Sequence, residues 1–329
     1  MIKYKAPRVW LAPMSGATDA PMRRQAVRFG APAVVSEMVA GETLAKARPD
    51  VVRRTCRHEG AGFWIVQLAA RRPGDMLAGA KLMAEAGVDV IDINMGCPSK
   101  EVTGGQSGSA LMRDLELAGE IIDAAIEGAG ARPVTLKMRL GWDDTLRNAP
   151  ALAQIAERKG VQMLTVHGRT RCQFYAGAAD WSAVRETVDA VALPVIVNGD
   201  IRDAASAREA LRQSGAHGVM IGRAAMGRPW LPGEIAAALD GRRWRMPDMA
   251  AQCDSLAEQV ADSLALYGSS LGLRMARKHV AAAIDHLALP LPAAERRALR
   301  SELCRIEDPA ELTRALRAVY LERIPEELV

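Results

Sequence analysis

The chain of 329 residues has few cysteines, and they follow no pattern. They are odd in number, widely separated and never spaced as Cys-x-x-Cys: Cys56, Cys97, Cys172, Cys253 and Cys304. This set predicts neither a disulfide framework nor a zinc site, and it favours a reducing cytoplasm. No apolar run approaches the length that spans a bilayer, and residues 1–8 lack the apolar core of a signal peptide. The sequence therefore predicts a cytoplasmic protein with no membrane segment and no metal.

Strong charge and sequence repetition are also absent. The formal net charge is +4 and the pI is near 8.9, which permits a polyanionic partner without requiring one. There is no fixed-period repeat and no low-complexity tract. Hydrophobic residues at 49% and charged residues at 25% are typical of a soluble globular protein, and the length suits one large domain with a smaller one.

Eight short apolar runs alternate with amphipathic segments. The runs cover residues 9–12, 33–36, 63–68, 88–93, 134–138, 163–166, 195–197 and 218–221. Helical periodicity lies between them at 76–86, 115–127, 152–159 and 204–213. Eight strand-helix units in a row predict a parallel sheet that closes into a (β/α)₈ TIM barrel. A doubly wound open sheet is the alternative, but the count and the lack of a Gly-x-Gly-x-x-Gly turn weigh against it.

Each apolar run ends on polar groups that a protein core does not need. They are Met14-Ser15, Glu37, Gln67, Asn94, Lys137 with Arg139, His167 with Arg169, Asn198-Gly199-Asp200, and Gly222-Arg223. A single polar residue at a strand end is usually turn chemistry, and this remains open for Glu37. The whole set predicts a site, because the carboxyl ends of barrel strands converge on one mouth.

Cys97 lies just beyond the end of the run at 88–93, in the segment Asn94-Met95-Gly96-Cys97-Pro98. The residues 103–108 that follow are rich in glycine, which predicts a movable flap. A free cysteine is often only a small buried residue, but this position favours a functional thiol.

The residues that follow the last two apolar runs are suited to binding an anion. Their glycines, Gly199 and Gly222, let backbone N–H groups approach a phosphate, as barrels commonly do at this place, and Arg223 can add a charged contact. Lys137 would then lie over the reactive end of the ligand, with an ion pair to Asp or Glu as the structural alternative.

The strands stop near residue 242, which predicts a barrel domain over 1–241 and a small helical bundle over 242–329. Apolar faces recur at 256–267 and 273–287, and Asp308-Pro309-Ala310-Glu311 opens a last helix. Arg274, Arg277 and Lys278 fall at i, i+3 and i+4, so they share one helix face. A basic face of this kind is a solvated surface or a nucleic-acid contact.

Together these motifs resemble the tRNA-dihydrouridine synthase family, and most of all its B branch. The resemblance covers nearly the whole chain in order. It rests on 11–14 (LAPM), 92–98 (DINMGCP), 136–142 (LKMRLGW), 165–171 (TVHGRTR), 198–201 (NGDI), 221–230 (IGRAAMGRPW) and 277–279 (RKH). One departure is Thr103-Gly104-Gly105, where many B-type relatives carry basic residues.

The resemblance implies an FMN-binding barrel, NADPH as the reductant and a helical domain that binds tRNA, in a monomer. Cys97 matches the catalytic proton donor, and Asn94, Lys137 and Arg139 match positions around the uracil. The flavin would be bound by Pro13, Met14, Ser15, Gln67, Lys137, His167, Asn198, Gly199, Asp200, Gly222 and Arg223. The tRNA would be bound by Arg274, Arg277 and Lys278.

The implied reaction reduces the C5–C6 double bond of a uridine in tRNA, and the B branch suggests position 17 of the D-loop. FMN N5 would give hydride to C6, and Cys97, present as a thiol, would give a proton to C5. Two alternatives stay open. One is an FMN barrel acting on a free small molecule, similar to dihydroorotate dehydrogenases, and the other is a non-catalytic RNA-binding regulator.

Overall fold

The structure is a computed structural model, and it describes residues 6–46, 48–60 and 62–322. The first five residues, on which part of the signal-peptide expectation rests, lie outside these ranges. No helix within them is long and apolar enough to cross a membrane.

Parallel strands close into a barrel, as the eight apolar runs predict. The strands are β1 (Val9–Leu11), β2 (Ala33–Val35), β3 (Val39–Ala40), β4 (Trp64–Ala69), β5 (Val90–Met95), β6 (Val134–Arg139), β7 (Met163–His167), β8 (Val195–Asn198) and β9 (Gly218–Ile221). Strands that are consecutive in sequence pair with each other except β2 and β3; β2 pairs with β4 instead, and β9 pairs with β1 to close the ring. The two-residue β3 pairs with the end of β4, beyond the part that pairs with β2. The barrel itself is therefore formed by the other eight strands.

Side chains alternate between two buried layers along the strands. One layer packs against the helices and includes Leu11, Val66, Ile91 and Leu136, all 0% exposed. The other fills the barrel interior and comprises Ala6, Trp10, Ala12, Ala33, Val35, Ile65, Val90, Met163, Ile196 and Met220. Burial on both faces explains why these strands read as continuous apolar runs in the sequence.

Helices connect the strands on the outside of the barrel. They are α1 (Ala20–Arg28), α2 (Gly41–Ala45), α3 (Pro49–Thr55), α4 (Pro73–Glu85), α5 (Lys100–Gly104), α6 (Leu115–Ala129), α7 (Ala149–Lys159), α8 (Arg185–Asp189), α9 (Ala204–Ser214) and α10 (Leu231–Leu239). The four amphipathic segments predicted from the sequence correspond to α4, α6, α7 and α9. The glycine-rich segment after Cys97 is not an irregular loop, because it contains α5 and then a 3₁₀ helix over Gly108–Arg113.

Four further helices follow the barrel: α11 (Met249–Tyr267), α12 (Ser269–His286), α13 (Ala293–Arg305) and α14 (Pro309–Leu321). They share an apolar core of their own that includes Val260, Val280 and Leu316. Asp308 caps α14 by accepting hydrogen bonds from the N–H groups of Ala310 and Glu311, as the sequence predicts. The division between 241 and 242 remains a prediction, and it falls in the segment between α10 and α11.

The helical bundle packs against the barrel through α1 and α11. The Gln25 side chain accepts a hydrogen bond from Ser255 Oγ at 2.9 Å, and Arg24 pairs with Asp262. The loop after β9 meets α12 at Gly227, where a Cβ would lie 2.3 Å from the backbone nitrogen of Ala283. This close approach at φ +70° requires glycine.

Candidate active site

Polar side chains of β4, β5 and β6 form a hydrogen-bonded chain at the barrel mouth. Thr135 Oγ1 donates to Asp92 Oδ1 at 2.6 Å, and Gln67 Nε2 donates to Asp92 Oδ2 at 2.7 Å. Asn94 Nδ2 donates to Gln67 Oε1 at 2.7 Å, and Asn94 Oδ1 accepts from the backbone N–H of Cys97 at 2.9 Å. Sheet register places these residues side by side, since Gln67 pairs with Asp92 and Asp92 with Thr135. The chain therefore ties the Cys97 backbone to three strands.

The carboxyl group of Asp92 anchors this chain in the barrel interior. Asp92 is 3% exposed, and burial raises its pKa although the hydrogen bonds from Thr135 and Gln67 lower it. Each carboxylate oxygen accepts one of these two bonds, so Asp92 fixes which way the Gln67 amide points and, through it, the Asn94 amide.

Cys97 is partly exposed just after β5, as the sequence predicts. Its carbonyl accepts hydrogen bonds from both the N–H and the Oγ of Ser109, at 3.2 and 2.8 Å. Gly108 packs so closely that a Cβ there would lie 3.3 Å from Cys97 Cβ and 3.0 Å from its carbonyl oxygen. The thiol is thus carried on backbone that is held from both sides, by Asn94 and by the 3₁₀ helix.

Lys137 lies beside Asn94 in the register of β5 and β6 and is 9% exposed. Burial and, to a lesser extent, the charge of Arg139 lower the pKa of its amine to about 8. Within the described ranges no carboxylate forms an ion pair with this amine, so the alternative of a structural ion pair is not what the structure shows. Its charge is available to a ligand at the mouth.

Arg139 joins loops at the barrel mouth. Its Nε donates to the carbonyl of Gly96, and its Nη1 donates to the carbonyls of Thr170 and Phe174, each at 2.8 Å. The side chain is 1% exposed, and burial lowers its pKa to about 10. Arg139 therefore positions the Cys97 segment, and its predicted contact with uracil stays a prediction.

The residues after β7 and β8 form a second polar group. The guanidinium of Arg169 pairs with both carboxylate oxygens of Asp200, at 3.2 and 2.6 Å, and lies 3.3 Å from His167 Nε2. Burial and then the nearby cations hold the pKa of His167 well below its usual range, so its imidazole is neutral. Burial raises the pKa of Asp200, but hydrogen bonds from Arg169 and from the N–H of Ala179 outweigh it and lower the pKa overall.

The backbone at Gly222 leaves room for a ligand, whereas Gly199 lies close against His167. Gly199 has φ +116° and Asp200 has φ +53°, and a Cβ on Gly199 would lie 2.9 Å from His167 Cδ2. A Cβ on Gly222 would meet nothing closer than 3.9 Å, where Ala12 Cβ and Met14 Sδ lie. Asn198 is not free to turn, because its Nδ2 donates to the carbonyl of Met220 at 2.8 Å.

The loop after β1 carries three predicted flavin residues, Pro13, Met14 and Ser15. Its turn is closed by the N–H of Ala17, which donates to the carbonyl of Met14 at 2.9 Å. Gly16 follows, with its N–H donating to the Glu37 carboxylate and its carbonyl accepting from the amine of Lys278. Glu37 and the helical domain therefore both fix this loop.

The three predicted tRNA-binding residues do not share one open surface. Arg274 is exposed on α12. Arg277 Nη2 donates to the carbonyl of Ile306, the residue that follows α13, at 3.1 Å, and Lys278 contacts Gly16. Helical spacing places the three residues near one another, but the neighbouring elements cover two of them.

Sequence reasoning missed several aromatic and basic residues at the mouth. Tyr175 is 51% exposed between Arg139 and Arg223, whose guanidinium carbons lie 5.6 and 4.8 Å from the centre of its ring. Trp142 and Arg171 belong to the motifs at 136–142 and 165–171, but their spacing in the sequence predicts no role for them. Among the described residues, no group of three or more His, Cys, Asp or Glu side chains is arranged to hold a metal.

Comparison with known proteins gives consistent matches. A family model described as "Dihydrouridine synthase (Dus)" matches residues 10–325. A probable tRNA-dihydrouridine synthase from Rhodobacter capsulatus is 49% identical over 96% of both chains. A tRNA-dihydrouridine synthase B from Xanthomonas axonopodis is 43% identical over 84% of this chain and 83% of its own. Histamine dehydrogenase from Rhizobium sp. 4-9 has a similar fold, with 14% identity and a TM-score of 0.51 over 77% of this chain and 48% of its own.

Proposed function

Because the chain belongs to the dihydrouridine synthase family, we propose that it reduces the C5–C6 double bond of a uridine in tRNA, with FMN as its cofactor and NADPH as the reductant. The observation that carries this proposal is the juxtaposition at one barrel mouth of the Cys97 thiol and the unpaired amine of Lys137. Asn94 brings the two residues together, because it lies beside Lys137 in the sheet register and accepts a hydrogen bond from the Cys97 N–H.

The residues present fit a flavin mononucleotide. The open space at Gly222, the left-handed backbone at Gly199 and Asp200, and the exposed guanidinium of Arg223 suit a phosphate. Pro13, Met14 and Ser15 from the first loop, with Gln67 and Lys137 from the strands, would line the ring system, and His167 and Asn198 would support the phosphate end. When bound, FMN supplies hydride to C6 of the uracil after taking it from NADPH.

The chain's own residues would orient the base and move one proton. Negative charge builds on the uracil carbonyl oxygens as C6 is reduced, and the Lys137 ammonium would stabilise it. The Cys97 thiol would donate its proton to C5. Asn94 would contact the base while its Oδ1 holds the Cys97 backbone, and Arg139 would contribute through the loops it joins. Asp200 would act by fixing Arg169 next to His167.

A stacked uridine must leave its helix or loop to reach this mouth, so the enzyme has to hold the tRNA around it. We propose that the helical domain contributes to this through Arg274, and that the protein acts as a cytoplasmic monomer. The resemblance to the B branch makes uridine 17 of the D-loop the proposed target.

Mapping dihydrouridine in tRNA from a deletion strain, with and without the gene restored, tests the target. We expect dihydrouridine to be lost at position 17 alone and to return with the wild-type gene. Loss of dihydrouridine at another position would overturn the choice of uridine but not the reaction. Flavin content and NADPH oxidation measured with and without tRNA test the reaction. Bound FMN that turns over with a free pyrimidine and not with tRNA would favour a small-molecule oxidoreductase, and RNA binding without flavin would favour a regulator.

A further inference from the structure

Four side chains at the barrel mouth alternate between cation and aromatic ring in one stack. The guanidinium carbons of Arg113 and Arg171 lie 4.2 and 4.6 Å from the centre of the Trp142 ring, and that of Arg171 lies 5.1 Å from the Phe174 ring. We call these four residues the Trp142 stack. Distances below 6 Å are within the range of cation–π attraction.

The members of the Trp142 stack come from three different segments that follow strand ends. Arg113 is the last residue of the 3₁₀ helix after the Cys97 segment, Trp142 follows β6, and Arg171 with Phe174 follows β7. The stack is joined to the segment after Cys97, because Arg171 Nη2 donates to Thr103 Oγ1 at 3.2 Å. It therefore lies next to the segment that follows Cys97, at the end of the barrel where a macromolecular substrate must approach.

Among the residues that the structure describes, the charges of Arg113 and Arg171 are not paired with a carboxylate. Within the described part of the chain, neither Arg113 nor Arg171 forms an ion pair. The carboxylates next to Arg113 and next to Trp142 in sequence are engaged elsewhere: Asp114 caps α6 by accepting from the N–H of Leu117, and Asp143 accepts from Thr145. Two stacked guanidinium groups with free charge predict an anionic ligand.

The backbone that holds the stack is strained. Phe174 has φ +50°, a conformation that is rare for a bulky residue, and its carbonyl is fixed by the hydrogen bond from Arg139. Strain of this kind persists only where surrounding structure enforces it, and it clusters at functional sites. The strained residue turns the chain so that Phe174 contacts Arg171 while the next residue, Tyr175, contacts Arg139 and Arg223.

We propose that the Trp142 stack binds phosphate groups of the tRNA strand that flanks the target uridine. The two arginines pack over the Trp142 ring, which leaves little of that ring for a base and favours phosphate as the ligand. Contact with the aromatic rings holds each guanidinium plane in place, and a guanidinium held in this way is suited to phosphate. The proposal rests on the proposed function, and it supplies cations near a segment whose own residues 103–105 carry none.

The test measures tRNA binding by fluorescence anisotropy to the flavin-loaded enzyme across a salt series. Each phosphate contact removed should lower the magnitude of the slope of log K against log salt by about 0.7 for single-stranded RNA and about 0.9 for a duplex. Arg113→Ala and Arg171→Ala should each show this change and weaker binding, and Arg171→Lys should retain part of the slope. Flavin reduction by NADPH without tRNA should be unchanged.

Arg158→Ala is the matched control, because Arg158 is exposed in the last turn of α7, at the opposite end of the barrel, and forms no ion pair within the described residues. Its salt slope should equal that of the parent. Parent-like affinity and slope in both Arg113→Ala and Arg171→Ala would overturn the proposal and leave the stack as internal packing. Dihydrouridine formation by the parent is measured in parallel, and its absence would overturn the proposed function instead. Since Arg113 is exposed, its variant is informative even if Arg171→Ala fails to fold.

Discussion

The side-chain oxygen of Asn94 accepts a hydrogen bond from the backbone N–H of Cys97 at 2.9 Å, and a second one from Gly96 at 3.2 Å. The same side chain donates to Gln67, which in turn is oriented by Asp92. A residue expected to meet the base is therefore also the residue that places the thiol. The orientation of the thiol therefore depends on the carboxylate of Asp92, which lies two residues before Asn94 on β5.

Asn94→Ala should lower both stability and activity. It leaves two backbone N–H groups and Gln67 Oε1 without their partner, which costs about 1–3 kcal/mol for each buried unsatisfied group. Chemical denaturation measures this loss, and single-turnover reduction of tRNA should slow more than flavin reduction by NADPH. Asn148→Ala is the control, because Asn148 donates to the carbonyl of Met112 and does not touch Cys97. Equal slowing in both variants would contradict the special role of Asn94.

Cys97→Ala should keep flavin and NADPH oxidation and lose reduction of tRNA. Proton donation is needed only when the base is reduced, and a positioned acid typically contributes ~10²–10⁴-fold. Stopped-flow spectroscopy of each half-reaction separates the two steps. A variant that reduces tRNA at the parent rate would show that the thiol is structural. Cys172→Ala, at an exposed thiol in the loop after β7, controls for the loss of a cysteine.

Reduction of tRNA should decline as the pH rises through the pKa of Lys137, about 8. Below this pH the amine is charged and can stabilise the charge that builds on the uracil; above it the amine is neutral. Lys137→Met should slow the tRNA half-reaction, by ~10²–10³-fold if Lys137 acts as a single charge-stabilising donor, and should remove the decline near pH 8. Rates measured from pH 6 to 9.5 for parent and variant test this, and a decline that persists in the variant would assign it to another group.

The barrel could be predicted from sequence because parallel strands buried on both faces leave continuous apolar runs, and each of the eight runs contains a strand of the ring. The mouth could be predicted because polar residues end those runs. The Trp142 stack could not be predicted, since its members come from three loops whose approach depends on the closed barrel. Periodicity placed Lys278 on a helix face, but it could not show that this face meets Gly16.

The hydrogen bonds of Arg139 could not be predicted from sequence, for a different reason. Its position two residues after Lys137 predicts that both side chains point to the same side of β6. Which hydrogen bonds a guanidinium makes depends on loop carbonyls brought near it by the fold, here those of Gly96, Thr170 and Phe174. Sequence spacing carries no information about those carbonyls.

Stability should depend on pH through Asp19, which is 2% exposed at the start of α1. Burial, and to a lesser extent Glu37, raises its pKa from 3.8 to about 6. Because the carboxyl group of the folded protein has the higher pKa, the free energy of unfolding falls as the pH rises from about 4 to about 6. The loss is about 3 kcal/mol. Asp19→Asn retains an acceptor for the N–H of Met22 and should remove this loss.

Urea denaturation at pH 4, 5, 6 and 7 measures the effect of Asp19→Asn. The gain in free energy of unfolding over the parent should grow between pH 4 and 6 and then level off. Asp308→Asn, at the exposed N-cap of α14, controls for replacing an aspartate cap with asparagine. A gain that is the same at every pH would contradict the assignment to Asp19.

Arg274 and Arg277 should separate RNA binding from stability within one helix. Arg274 is exposed, so Arg274→Ala should change the free energy of unfolding by less than about 0.5 kcal/mol. It should weaken tRNA binding and lower the magnitude of the salt slope by about 0.7–0.9. Arg277→Ala removes the hydrogen bond to the carbonyl of Ile306, and it should destabilise the protein by about 1–2 kcal/mol while leaving the salt slope unchanged.

The comparison between the two variants decides what the basic face of α12 does. Denaturation and anisotropy are measured on the same flavin-loaded preparations, so a loss of folded protein cannot pass for a loss of affinity. If Arg274→Ala binds tRNA with the parent slope, Arg274 is a solvated side chain, and phosphate binding rests on the barrel mouth. If Arg277→Ala flattens the slope without loss of stability, its guanidinium leaves Ile306 to reach a phosphate. The contact with α13 would then be the resting position of an RNA-binding residue.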